Sequence, residues 1–198
     1  MERTDWDRRY ETSELVWTAV PNRFVVEEVQ GMRPGRALDL AAGEGRNAVW
    51  LAEQGWQSTA VDFSAVGLAK AAALAVSRGV SVNLVTADLR DYRPEPAAYD
   101  LVLIAYLHLS AAEFARVLHR AVAAVVPSGT LLIVGHDVTN LTDGVGGPQD
   151  PDILHTPESI SAALDGMDVR RAERVRRLVD TEAGRREAID TLVRAVRV

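Results

Sequence analysis

Short apolar runs separated by amphipathic stretches constrain this chain more than any other feature. Arg36–Ala41 (RALDLA), Gln57–Val61, Asp100–Ala105 (DLVLIA) and Thr130–Gly135 (TLLIVG) are too short for ordinary helices, and the last two are apolar almost throughout. A half-exposed strand alternates polar and apolar residues, so these runs read as strands covered on both faces. Between them lie helical patterns. One spans Asn47–Gln54 and is closed by Gly55. A second is capped by Ser64 and runs to Ser77 before Gly79. A third is capped by Ser110, with Glu113 in the capping-box position, and reaches Val126 before Pro127-Ser128-Gly129. Val80–Thr86 supplies a further strand. Such alternation predicts an α/β fold, a Rossmann-like doubly wound sheet with helices on both faces.

The rhythm breaks after Gly135. His136 to Pro157 is polar and rich in Gly and Pro, longer than a simple connector and of the kind that carries function or moves. A short helix at Pro157–Leu164 follows. Val169–Val179 and Arg186–Val196 then read as a terminal antiparallel hairpin at one sheet edge, giving seven strands in all, most of them parallel.

Composition removes several function classes. The net charge of -6 opposes phosphate-backbone binding as the main task, so no nucleic-acid partner is expected. Residues 1–169 carry net -10 and residues 170–198, with nine Arg against five acids, net +4. Cysteine is absent, which excludes disulfides, thiolate metal sites and a cysteine nucleophile, and no metal is expected. The opening Met1-Glu2-Arg3-Thr4-Asp5-Trp6-Asp7 has no apolar signal-peptide core, and no run reaches the roughly 20 residues of a membrane helix. The expectation is a soluble, cytoplasmic protein without a membrane partner, either a monomer or a homodimer paired through the hairpin edge.

The chemistry concentrates where the first strand ends, in Leu38-Asp39-Leu40-Ala41-Ala42-Gly43-Glu44-Gly45-Arg46-Asn47. A strand running into Gly-x-Gly and a helix lets backbone approach a ligand closely and aims helix N–H groups at it. In an open parallel sheet such a loop lies at the switch point, where ligands bind. Gly43, Gly45 and Ala48 also satisfy the dinucleotide pattern G-x-G-x-x-A. Three acids sharpen the picture. Asp39 lies inside the strand, where nucleotide dehydrogenases carry an apolar residue. Asp62 ends the second strand, placed to accept hydrogen bonds from ribose hydroxyls. Asp88 follows the third, where it could receive an exocyclic amine with Leu89 packed on a base. An acidic rim of this kind suits a ligand with a cationic centre better than a pyrophosphate.

These residues resemble a known family. LDLAAGEGRN, the acid at Asp62, ADLRDY and YDLVLIAYLHL look like the ordered motifs of class I S-adenosylmethionine-dependent methyltransferases, particularly the small single-domain kind related to tellurite-resistance and thiopurine methyltransferases. The likeness covers about residues 5–136. It implies a seven-stranded sheet with one antiparallel strand and S-adenosylmethionine as cofactor, leaving as S-adenosylhomocysteine. It further implies that Asp39 and the turn Ala41 to Gly45 hold the cofactor's amino-acid end, with Arg46 and Asn47 beside its carboxylate. Asp62 and neighbouring Ser64 would lie at the ribose, Phe63 against the adenine, and Asp88 and Leu89 at the adenine edge. Ala105 and Tyr106 would lie beneath the methionine part with His108 close by. Trp6-Asp7-Arg8-Arg9-Tyr10 looks like the W-D-x-R-Y opening that folds over the cofactor, which places Trp6 and Tyr10 in the site. On this reading one domain, 1–198, comprises a helical lid (1–30), a cofactor-binding core (31–136) and an acceptor-side loop and edge hairpin (137–198).

A sulfonium methyl is already activated, so in-line positioning supplies much of the rate, and a base is needed only for an acceptor that carries a proton. His136 and His108, both just after strand ends, are the candidates. DNA amino-methylating enzymes of this fold carry Asp/Asn-Pro-Pro-aromatic where this chain has Ala105-Tyr106-Leu107-His108, so a small-molecule acceptor is expected. Two other readings stay open. One is a nicotinamide-dependent oxidoreductase, against which stand Asp39 and the lack of a Tyr-x-x-x-Lys pair, Lys70 being the only lysine. The other is a non-catalytic S-adenosylmethionine-binding protein.

Overall fold

The computed structural model describes residues 3–12, 14–182 and 184–198. Seven strands form one sheet in the order β3-β2-β1-β4-β5-β7-β6. They are β1 (Arg36–Leu40), β2 (Gln57–Asp62), β3 (Asn83–Thr86), β4 (Tyr99–Ala105), β5 (Val125–His136), β6 (Met167–Thr181) and β7 (Gly184–Arg197). Pairings among β1 to β5 are parallel, and β7 runs antiparallel to both β5 and β6. Chain order reverses between β1 and β4, so the crevice beyond their carboxyl ends is the switch point of the sheet.

Helices cover both faces, which is why the strand runs are apolar throughout. Leu38, Leu40, Val102, Ile104, Leu131 and Ile133 pack beneath α5 (Ala111–Ala124) through Phe114, Val117 and Leu118. On the opposite face Ala37, Leu101, Leu103 and Leu132 meet Phe24, Val25 and Val29 of α2 (Arg23–Val29) and Leu51 of α3 (Arg46–Glu53). Helix α4 (Ala65–Ser77) begins where Ser64 accepts a hydrogen bond from Gly67 N at 3.0 Å. The N-terminal α1 (Arg3–Tyr10) lies against α4. Among the described residues no helix is long and apolar enough to cross a membrane.

Strand β3 starts at Asn83 rather than Val80, and three larger differences from the sequence reading follow. Strand β5 begins at Val125, directly after α5, rather than at Thr130. Tyr99 pairs with Val125, the register then shifts, and Leu101 pairs with Thr130, so Pro127-Ser128-Gly129 is a bulge inside the strand and not a connector. The hairpin strands extend beyond Val169–Val179 and Arg186–Val196 in both directions. Finally, the stretch after His136 folds into α6 (Asn140–Asp143), a 3-10 turn at Pro151–Ile153 and α7 (Pro157–Ser161), the last shorter than the expected helix to Leu164. Side chains fasten this stretch down. Buried Asn140 accepts from Ile189 N at 2.7 Å and donates to Gly146 O at 2.8 Å. Buried Asp137 accepts from Thr139 N, Thr191 Oγ1 and Arg174 Nε.

Candidate active site

A cavity of about 520 Å³ opens at the switch point. Fourteen of the residues named from sequence line it: Trp6, Tyr10, Ala41, Gly43, Arg46, Asn47, Asp62, Phe63, Asp88, Leu89, Ala105, Tyr106, His108 and His136. Asp39, Gly45 and Ser64 do not; they stand behind its wall.

The turn after β1 is the tightest part of the wall. Ala41, Gly43 and Gly45 all have positive φ, at 64°, 55° and 77°. A Cβ on Gly43 would lie 2.8 Å from Tyr10 Oη, and one on Gly45 would lie 2.5 Å from Ala71 Cβ. Both positions therefore require glycine for conformation and for space. Asp62 locks the turn, accepting from Gly43 N at 2.8 Å and from Ser64 N at 2.9 Å. Ser64 in turn donates to Asp7 at 2.5 Å, tying α1 to the start of α4.

Behind this turn lies Asp39, wholly buried, with neither carboxylate oxygen in a well-formed hydrogen bond among the described residues and only weak favourable influence from Ala48 N–H and Arg46. Burial, reinforced by Asp62, raises its pKa to about 7. Burial likewise raises that of Asp62. Arg46 faces the cavity with no ion-pair or hydrogen-bond partner for its guanidinium among the described residues. Asp88, by contrast, is already engaged: Arg90 Nη2 donates to it at 2.7 Å, holding the carboxyl below its usual range.

The other half of the cavity is aromatic. Tyr10, Trp6, His108, His136 and Tyr106 form a ladder of rings with successive centroids 5.6, 6.4, 5.6 and 4.8 Å apart. Burial lowers the pKa of His108 to about 4, so its ring is neutral at pH 7, and neither nitrogen has a hydrogen-bond partner among the described residues. Tyr106, just past the end of β4, has φ of 57°, an uncommon conformation for a non-glycine residue, and its hydroxyl donates to Asp190 at 2.8 Å. Of the long segment after His136, Ile153 is the residue that reaches the lining.

Several site residues escaped the sequence reading. Asn22 caps α2, accepts from Phe24 N, donates its side-chain amide to Tyr106 Oη at 3.2 Å and donates its backbone N–H to Asn47 Oδ1 at 2.9 Å. A Pro-Asn step before an apolar helix was a legible cap signal. Glu44 is buried, pairs with Lys70 at 3.0 Å and accepts from the N–H groups of Val16 and Trp17. Arg177 lines the cavity, and Asp190 sits beneath it. Nothing local distinguished Arg177 from the other hairpin arginines; its inward position depends on how the hairpin packs.

Residues 37–129 match the family model described as a methyltransferase domain. The match spans a little under half of the chain, and the sheet order with its antiparallel C-terminal hairpin is that of the class I methyltransferase fold. Among solved structures, one described under conversion of a disulfide bond into a thioacetal group during echinomycin biosynthesis superposes with TM-score 0.78, at 18% identity over 98% of this chain and 92% of that one. TehB from Haemophilus influenzae gives 0.75 at 16% identity, covering 99% and 67%. Magnesium protoporphyrin IX methyltransferase (ChlM) from Synechocystis, described with bound SAH, gives 0.68 at 18% identity, covering 98% and 94%. No curated protein matches the chain in sequence.

The cofactor that this methyltransferase class implies is S-adenosylmethionine. The residues present fit it. A buried carboxylate at Asp39, with no well-formed hydrogen bond among the described residues, stands behind a glycine turn that excludes side chains, a free guanidinium at Arg46 faces the same space, and Asp62 ends the neighbouring strand. Acidic groups around one lone base suit a ligand with cationic centres and a single carboxylate.

Proposed function

We propose that this protein transfers a methyl group from S-adenosylmethionine to a small-molecule acceptor, and that the acceptor binds along the aromatic ladder. The observation that carries this reading is Asp39, a buried carboxylate with no well-formed hydrogen bond or ion pair among the described residues, directly behind the Gly43 turn. An ionisable group so placed costs stability unless a cation complements it. When bound, S-adenosylmethionine supplies an electrophilic methyl on a positively charged sulfur.

The chain's own groups do the rest by holding and orienting. Arg46 and Asn47 meet a carboxylate at the start of α3, and the turn Ala41 to Gly45 presents backbone to the amino-acid end. Asp62 receives ribose hydroxyls, Phe63 and Leu89 cover the adenine, and Asp88 is offered to its edge alongside Arg90. Ser64 acts indirectly, by holding Asp7 and hence α1 against the site. Trp6 and Tyr10 close the cavity from above, as a lid, while Ala105 and Tyr106 form its floor. His136 takes the proton of an acceptor that carries one; neutral His108 stacks between Trp6 and His136 and shapes the acceptor space. Alignment of this kind supplies much of the rate without a strong chemical catalyst.

A nucleic-acid acceptor is not favoured. The hairpin's arginines are largely spent within the chain: Arg171 on Glu28 and Glu173, Arg174 on Asp137 and Glu158, Arg176 on Glu187, Arg185 on Asp180. We place the protein in the cytoplasm, with residues 1–198 forming one methyltransferase domain.

Calorimetric titration with S-adenosylmethionine, S-adenosylhomocysteine and NADH, with Asp62→Ala as control, tests this reading. Binding of both adenosyl ligands, weakened in the variant, is expected. Binding of NADH alone would replace the methyltransferase with an oxidoreductase. Adenosyl binding without methyl transfer to any acceptor would leave a non-catalytic binding protein.

A further inference from the structure

Side chains from β5, from β6 and from the turn just after β4 converge on one carboxylate that the sequence did not single out. Asp190, on β7, is completely buried. Its Oδ2 accepts from Tyr106 Oη at 2.8 Å and from Arg177 Nε at 2.7 Å. Its Oδ1 lies 3.2 Å from Nδ1 of His136, its direct cross-strand partner in the β5–β7 register. The pair is close without being aligned as a hydrogen bond, and neither atom has another hydrogen-bond partner among the described residues. Two buried polar atoms in that position gain most by pairing with each other, since leaving either unpaired forfeits its hydration. Nε2 of His136, in contrast, engages no group among the described residues, on a ring that lines the cavity.

We propose that Asp190 is a positioning residue: it holds His136 as the Nδ1–H tautomer, leaving the lone pair of Nε2 turned to the cavity as proton acceptor for a nucleophile that carries a proton, such as a hydroxyl or thiol. This rests on the methyltransferase reading above. In the transfer, the acceptor atom bonds to the methyl carbon, the carbon–sulfur electron pair departs with the sulfur, and the acceptor's proton passes to Nε2. Arg177 and Tyr106 complete the arrangement by occupying Oδ2, which reserves Oδ1 for the histidine. The carboxylate orients the imidazole and does not itself take the proton.

The test is long-range 15N–1H NMR of the full chain at pH 8, with the four histidines assigned by substitution. His136 in the wild type should favour Nδ1–H by about tenfold to a hundredfold, the worth of one hydrogen bond to a charged acceptor. Asp190→Asn, which preserves shape but can donate to Nδ1, should reverse that preference, whereas Arg177→Gln should leave it in place. Predominance of the Nε2–H form in the wild type overturns the proposal even if Asp190→Asn does not fold, as does an unchanged tautomer in a folded Asp190→Asn. S-adenosylhomocysteine titrated into the same samples separates the two readings. Failure to bind removes the methyltransferase reading and leaves the tautomer result standing, while binding with the wrong tautomer removes only the role of Asp190.

Discussion

Replacing Asp39 by Asn should make the ligand-free protein more stable and a poorer binder. The pKa of Asp39 is about 7 in the folded chain, raised by burial first and by Asp62 second, against about 3.9 when unfolded. Between those values the native state keeps a proton that the unfolded chain has lost, so this group's contribution to stability falls as pH rises from about 4 to about 7. The full difference, near three pH units, is on the order of 4 kcal/mol above pH 7. Asn removes that cost but brings amide hydrogens to a site with no acceptor, returning about 1–3 kcal/mol. A net gain of roughly 2 kcal/mol follows, which for a chain of this size is about 4–8 °C in Tm. Thermal unfolding by circular dichroism at pH 8 should show it, and the two proteins should nearly coincide at pH 5, where Asp39 is protonated. In the same variant S-adenosylhomocysteine affinity should drop, because its ammonium loses the charge that the buried carboxylate provides. A variant no more stable than wild type at pH 8, or equally stabilised at both pH values, would refute the electrostatic argument. Undiminished affinity would refute the binding role.

Other expectations can be checked in parallel. His136→Ala should lower turnover far more than cofactor affinity; unchanged turnover with a true acceptor removes His136 from the reaction. Gly43→Ala forces a Cβ into the space 2.8 Å from Tyr10 Oη at a φ of 55°, so it should weaken S-adenosylhomocysteine binding by at least about tenfold, the equivalent of about 1.4 kcal/mol of strain, with part of the loss recovered on adding Tyr10→Phe. Glu44→Gln strips the buried partner from Lys70 and weakens the grip on Val16 and Trp17; hydrogen exchange at those two amides should accelerate while the sheet core stays protected. Leu103→Ala, at a fully buried position between α2 and β4's neighbours, should cost about 2–5 kcal/mol in denaturant unfolding without altering the midpoint's cooperativity.

How much was legible beforehand depends on the range of the interactions involved. The parallel strands could be read because their apolar runs are local and both faces must be covered. The turn after β1 could be read because two of its three positive-φ positions, Gly43 and Gly45, are glycines, and the caps at Ser64 and Ser110 because a helix end satisfies its own N–H groups nearby. The β5 boundary was misplaced because Pro127-Ser128-Gly129 has the composition of a connector. Only pairing of Val125 with Tyr99, on another strand, turns it into a bulge.

The sequence by itself determined the α/β class and the glycine turn after β1, since each is written in residues a few positions apart. The tertiary structure alone decided which charges face the cavity. Asp88 turned out to be shared with Arg90, Asp39 stands behind the wall, and Arg177 was chosen from a row of arginines by the packing of one hairpin. His136 and Asp190, 54 residues apart, meet because β7 runs antiparallel beside β5 and sets them opposite each other in register. A pairing of that kind is fixed by how strands align over the whole sheet, and no local pattern encodes it.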